Sequence, residues 1–103
     1  MRHVMRYTLY MIKSFSDKRT ERLFCDGTVK GLPPEVVSRA LRKLDMLDAA
    51  QTVEDMRVPP GNRLHRLQGD RFGHYAISVN SQWRLCFRFE GEDAYDVELC
   101  DYH

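Results

Sequence analysis

Between Tyr75 and Leu99 the apolar residues of this chain recur at every second position, in three successive runs. Tyr75, Ile77 and Val79 alternate with Ala76, Ser78 and Asn80. Trp83, Leu85, Phe87 and Phe89 alternate with Arg84, Cys86 and Arg88, and Tyr95, Val97 and Leu99 alternate with Asp96, Glu98 and Cys100. A period of two places one set of side chains on a buried face and the other on a polar face. Three such runs, closely connected, predict an antiparallel meander that needs a second layer to cover its apolar side.

That layer comes earlier in the chain. Pro33-Pro34 opens the strongest helical pattern, because proline suits a first turn. Val37, Ala40, Leu41, Leu44 and Leu47 or Asp48 then form one stripe at 3–4 spacing, with Arg39, Arg42 and Lys43 outside it. Ser16 or Asp17 can cap a brief helix through Cys25 that Gly27 ends, and Thr52 can cap a last turn. Met11–Phe15 reads as a short strand and Val58-Pro-Pro-Gly-Asn62 as an extended loop without helix or sheet. Helices first and strands after make the class α+β: a short strand and helices packed on a curved antiparallel β-meander.

Facing residues must share a side of the sheet, which fixes an expected register. Phe89 then opposes Tyr95 around a three-residue Gly91-Glu92-Asp93 loop, setting Arg88 against Asp96, Cys86 against Glu98 and Arg84 against Cys100. Across Asn80-Ser81-Gln82, Val79 meets Trp83 and Ser78 meets Arg84. Arg88 reads as one half of a cross-strand ion pair, a structural device. Arg84 sits on the polar face opposite Cys100, one alternate position from Tyr102, where its forked donors suit a phosphate; periodicity by itself fits a solvated surface arginine as well.

Length and charge narrow the function classes. A chain of 103 residues makes one domain, and no apolar run approaches the roughly 20 residues of a membrane span. Met1–Tyr10 does not have the pattern of a secretory leader. Three cysteines without a CxxC pair argue for a reducing cytoplasm, against a disulfide scaffold and against a zinc site. All 16 Lys and Arg lie at or before Arg88, against nine of the 15 acids, so residues 1–88 carry +7 and the last fifteen −6. A locally positive surface of that kind can hold a polyanion; a solvated mixture of charges is the plain alternative. No phosphate-binding glycine loop, nucleophile elbow or metal-protease motif occurs. Asp101-Tyr102-His103 sets a carboxylate, a phenol and an imidazole in adjacent positions, suited to acid–base chemistry or simply forming a polar tail. His65, in Arg63-Leu-His-Arg-Leu67, is a second imidazole whose face alternation does not fix.

Taken in order, Pro59-Pro-Gly-Asn-Arg-Leu-His-Arg-Leu-Gln-Gly-Asp-Arg71, Tyr75-Ala-Ile-Ser-Val79, Gln82-Trp-Arg-Leu-Cys-Phe87, Asp93-Ala-Tyr95 and the closing Asp101-Tyr-His103 resemble the HigB-type toxins of the RelE/ParE superfamily. Met11-Ile-Lys-Ser-Phe15 looks like that family's start, so residues 1–10 are expected to be an extension and 11–103 a single toxin domain. The resemblance implies a cytoplasmic, ribosome-dependent mRNA endonuclease that attacks the scissile phosphate through the ribose 2′-hydroxyl without a metal or other cofactor. It implies as partners the ribosome, its mRNA and a helix-turn-helix antitoxin of HigA type, and no membrane. Carried over position by position, the catalytic set is His65, Arg84, Asp101, Tyr102 and His103. His65 or His103 would serve as base and acid, Arg84 as phosphate clamp, Tyr102 as a positioning or proton-donating phenol, and Asp101 would orient an imidazole or hold the tail. Arg66, Gln68, Arg71 and Asn80 are the expected RNA-binding neighbours. Gln68 and Asn80 stand where family members can carry a lysine and an arginine, with Arg66 and Arg71 as flanking substitutes. A gyrase-inhibiting ParE-like toxin and a catalytically weakened RNA-binding domain are the competing readings.

Overall fold

The computed structural model describes residues 10–101. Helix α1 spans Lys18–Asp26 and α2 spans Pro34–Ala49. A 3-10 turn at Val53–Arg57 follows, and then strands β1 (His65–Arg66), β2 (His74–Ser78), β3 (Trp83–Glu90) and β4 (Asp93–Asp101). The strands form one antiparallel sheet in the order β1-β2-β3-β4. This is the α+β architecture that the hydrophobic periods predict.

The helices form where the local chemistry allows. α1 ends at Gly27, whose φ of 83° is left-handed backbone that costs glycine little. α2 starts at Pro34 and buries Val36, Ala40, Leu44 and Leu47, while Val37 and Leu41 are half-buried at the margin of that stripe. Thr52 closes a capping box on the Val53–Arg57 turn with Asp55, whose carboxylate also accepts from the Gln51 and Thr52 amides at 2.9 and 3.1 Å. The stripe of α2 and Leu23 and Phe24 of α1 pack against Ile77, Leu85, Phe87, Val97 and Leu99 in one core.

The expected register holds from Trp83 to Cys86, where Arg84 faces Cys100 and Cys86 faces Glu98, and across β2–β3, where Ser78 faces Arg84. It fails beyond Cys86. Arg88 faces Tyr95 and Phe89 faces Ala94, because β4 carries a bulge at Asp96, whose φ is 55°. The extra residue shortens the β3–β4 connection to Gly91-Glu92 and turns Tyr95 off the core face, where Arg88 lies 4.6 Å over its ring. Ala94 takes the core position. Arg88 still reaches Asp96, at 3.3 Å, and also pairs with Glu90.

Two further expectations need correction. Met11–Phe15 makes only two isolated parallel bridges, Ile12 with Ala94 and Phe15 with Val97, rather than a strand of its own. Ser14 between them hydrogen-bonds the bulge, its Oγ accepting from the Asp96 amide at 2.8 Å. Val58–Asn62 is not an extended loop throughout, since Pro60–Asn62 forms a 3-10 turn after a cis Val58–Pro59 bond. Buried Asn62 organises that turn by donating to the Met56 and Val58 carbonyls at 2.9 and 3.4 Å. The free edge of β4 continues under α1, where Thr20 Oγ1 accepts from the Leu99 amide at 2.9 Å and Arg19 donates to the Leu99 carbonyl at 3.2 Å.

Candidate active site

Three elements meet at the end of the sheet where β2 turns into β3. The β2–β3 turn is fixed by Asn80, whose Oδ1 accepts from the Gln82 and Trp83 amides, both at 2.8 Å. Because that oxygen is committed to backbone donors, the Asn80 amide keeps its NH2 as a donor. The turn, the Gly61–Arg63 corner and α2 enclose a cavity of about 520 Å³. Arg39, Arg63, His65, Ser78, Asn80 and Arg84 line it.

His65 is held in one tautomer. Its Nδ1 lies 2.9 Å from the Arg63 carbonyl oxygen. A carbonyl can only accept, so Nδ1 carries the proton and, in the neutral ring, Nε2 carries the lone pair. Nε2 lies 3.4 Å from a guanidinium nitrogen of Arg84. Arg63 offers its carbonyl from left-handed backbone, φ 52°, a conformation costing a non-glycine residue roughly 1–2 kcal/mol. The cavity is therefore basic, with a lone pair and a forked cation side by side on its floor.

The other expected site residues are dispersed. Asp101 closes β4 opposite Trp83, and its Oδ1 accepts from Gln82 at 3.1 Å, tying the strand's end to the turn below the cavity. Tyr102 and His103 lie outside the described residues. Arg71 pairs with Glu98 at 3.2 Å, in the middle of the polar face. Arg66 lies 5.7 Å over the Tyr75 ring, and with Gln68 it lines a separate cavity of about 270 Å³ beside Phe72 and His74. Of the expected RNA-binding residues, only Asn80 borders the cavity of His65 and Arg84.

Between Arg71 and Arg84 lie two thiols. Cys100 Sγ donates to the Glu98 carbonyl at 3.8 Å. The neighbouring Cys100 thiol and then Arg71 and Arg84 hold the Cys86 thiol below its usual range against the effect of burial, while Cys86 and burial push the Cys100 thiol up. Among the described residues no cluster of three or more His, Cys, Asp or Glu side chains could hold a metal ion, and no helix is long and apolar enough to cross a membrane.

Sequence reasoning missed Arg39 and Arg63. Arg39 reads as part of a solvated helix face, and only the packing of α2 against the Gly61 corner turns it to the cavity. Arg63 lies within the motif that carries His65, but its left-handed backbone has no local sequence signal.

Residues 13–103 match the protein family described as RelE-like toxin of type II toxin-antitoxin system HigB, and the chain belongs to that family. Membership of a type II system brings with it an antitoxin partner. The chain is 38% identical over 93 residues to "Endoribonuclease HigB" of Proteus vulgaris, covering 90% of this chain and 100% of that protein. It is 44% identical over 80 residues to "Toxin HigB-1" of Vibrio cholerae, covering 77% and 84%. An uncharacterized protein of Haemophilus influenzae is 33% identical over 86 residues, covering 82% and 85%.

Proposed function

We propose that this toxin is an endoribonuclease that cuts messenger RNA on the ribosome, with the cavity of His65 and Arg84 as its active site. The observation that carries the reading is the locked tautomer of His65. Nδ1–H is committed to Arg63, so Nε2 keeps the lone pair, which accepts from the Arg84 guanidinium at 3.4 Å and is released to the substrate when Arg84 turns to the phosphate. The name and full-length coverage of the Proteus vulgaris relative support the same activity.

The chemistry follows from what the groups can do. Nε2 of His65 takes the proton of a ribose 2′-hydroxyl as its oxygen attacks the adjacent phosphorus. A 2′-O–P bond forms and the P–5′-O bond breaks, leaving a 2′,3′-cyclic phosphate and a 5′-hydroxyl. Arg84 binds the nonbridging oxygens, whose charge grows in the pentavalent state, so its contribution is larger there than in the ground state. The leaving 5′-oxygen takes a proton from His103, with Tyr102 positioning it and Asp101 holding the tail through Gln82. The Asn80 NH2 supplies a neutral donor at the rim. No step requires a metal. Neutralisation falls to a helix-turn-helix antitoxin, and the site of action is the cytoplasm, where ribosomes translate.

Inducing the chain alone should arrest growth, and co-expression of its antitoxin should relieve the arrest. In a translation reaction, one 2′-deoxy substitution at the cleavage position should abolish cutting. Growth arrest without RNA cleavage would overturn the nuclease reading in favour of a gyrase-directed toxin. Unaffected growth at confirmed expression would point to a weakened RNA-binding domain.

A further inference from the structure

A second cavity, of about 260 Å³, adjoins the first and shares Arg39, Gly61, Ser78 and Val79 with it. It continues along α2 to Arg42 and Lys43. Arg39, Arg42 and Lys43 stand at i, i+3 and i+4, which puts three cations on one edge of a helix. Like charges at that spacing destabilise a helix by about 0.2–0.5 kcal/mol per pair. Arg39 and Arg42 make no ion pair within 4 Å among the described residues; Glu35, four residues before Arg39, and Asp45, three after Arg42, are the acids at helical spacing and offset part of that repulsion. The crowding is visible at Lys43, where burial and then Arg42 and Arg39 hold the ammonium below the usual lysine range. Lys43 does not escape to solvent; its Nζ donates to buried Asn62, the residue that organises the Pro60–Asn62 turn. Two exposed arginines beside a lysine held by Asn62, all lining one cleft, suit an anion.

We propose that Arg39, Arg42 and Lys43 form a second phosphate subsite that grips the RNA backbone next to the scissile phosphate. This rests on the nuclease reading for what occupies the first cavity. The two cavities share Arg39, Gly61, Ser78 and Val79 as common walls, so a polyanion lying along Arg84 and Arg39 comes next to Arg42. Three residues separate the two arginines, about 4.5 Å along α2, and their long side chains extend that step to neighbouring phosphates. A backbone grip of this kind adds affinity without base preference and is strongly salt-dependent. An acidic protein segment could be drawn to the same charge, but the walls shared with the His65 cavity favour the nucleic acid.

The test is binding of the whole chain to a 2′-O-methyl single-stranded oligoribonucleotide, which cannot be cut, across a range of salt. For single strands each neutralised phosphate contributes about 0.7 to the slope of log K against log salt. The Arg39→Gln/Arg42→Gln double variant should therefore lose about 1.4 of that slope. The charge-preserving Arg39→Lys/Arg42→Lys variant and the distant Lys18→Gln variant should keep it. An unchanged slope in the glutamine variant overturns the subsite. So does a loss seen only with message-free ribosomes, or only with the antitoxin, because the cluster would then serve ribosomal RNA or a protein. If the slope falls as expected but the wild type never cuts RNA, the nuclease reading fails while the subsite stands.

Discussion

Replacing Thr20 with valine preserves the side chain's size and removes one oxygen. That oxygen accepts the Leu99 amide at 2.9 Å, and Thr20 is fully buried. The Leu99 N–H lies beyond the last bridge of the Met11–Phe15 segment, so a valine there leaves the donor with no acceptor under α1. A buried donor stripped of its partner costs about 1–3 kcal/mol. At roughly 4–8 °C per kcal/mol for a domain of this size, the melting temperature should fall by about 4–24 °C. Thr20→Ser keeps the acceptor and loses one buried methyl, about 0.8 kcal/mol by transfer alone. Thermal unfolding of the three chains, with amide exchange followed at Leu99, reads both effects. The reasoning is refuted if Thr20→Val is as stable as the wild type and the Leu99 amide exchanges no faster.

Asp55 gives a pH dependence. Backbone donation from Gln51 and then Thr52 holds its carboxyl below the usual aspartate range. A carboxyl depressed in the folded state stabilises above its unfolded pKa of about 3.9 and loses that contribution as pH falls through the folded value. Asp55→Asn should flatten acid unfolding below that point, as read by a pH titration of stability; an unchanged profile would contradict it. A chain beginning at Met11 should fold and act like the full one. It forfeits the edge-on packing of Tyr10 on Phe24, at 5.2 Å, worth about 0.5–1.5 kcal/mol. A much larger loss on truncation would show that residues 1–10 belong to the body of the domain.

The layers of this fold are legible because burial repeats along the chain: period two fixed the meander, and the 3–4 stripe fixed the covering face of α2. Register is legible only where pairing is regular. Arg84 opposite Cys100 follows from parity, whereas Arg88 opposite Tyr95 does not, because the bulge at Asp96 is held by Ser14, some eighty residues away in the chain. Aspartate tolerates left-handed backbone better than most residues, but nothing near Asp96 announces it. The candidate site divides in the same way. Motif order singled out His65 and Arg84, and the fold sets them in contact. What selects the His65 tautomer is the Arg63 carbonyl, a main-chain atom whose direction no side-chain pattern encodes. Arg66, Gln68 and Arg71 lie near His65 in sequence but point to another cavity or to Glu98, because the short β1 and the turn after it carry them away from the cleft.

The central claim is that Nε2 of His65 and the guanidinium of Arg84 act on one phosphate. It is tested most directly by cleavage of end-labelled message on translating ribosomes, comparing wild type, His65→Asn, Arg84→Ala and a chain lacking His103. His65→Asn keeps a donor toward the Arg63 carbonyl but cannot take a proton, and should slow cutting by about 10²–10⁴-fold. Loss of His103 should cost a comparable factor, and Arg84→Ala about 10²–10³-fold, more in the rate of cutting than in binding. Cleavage by all three variants at the wild-type rate would contradict the account.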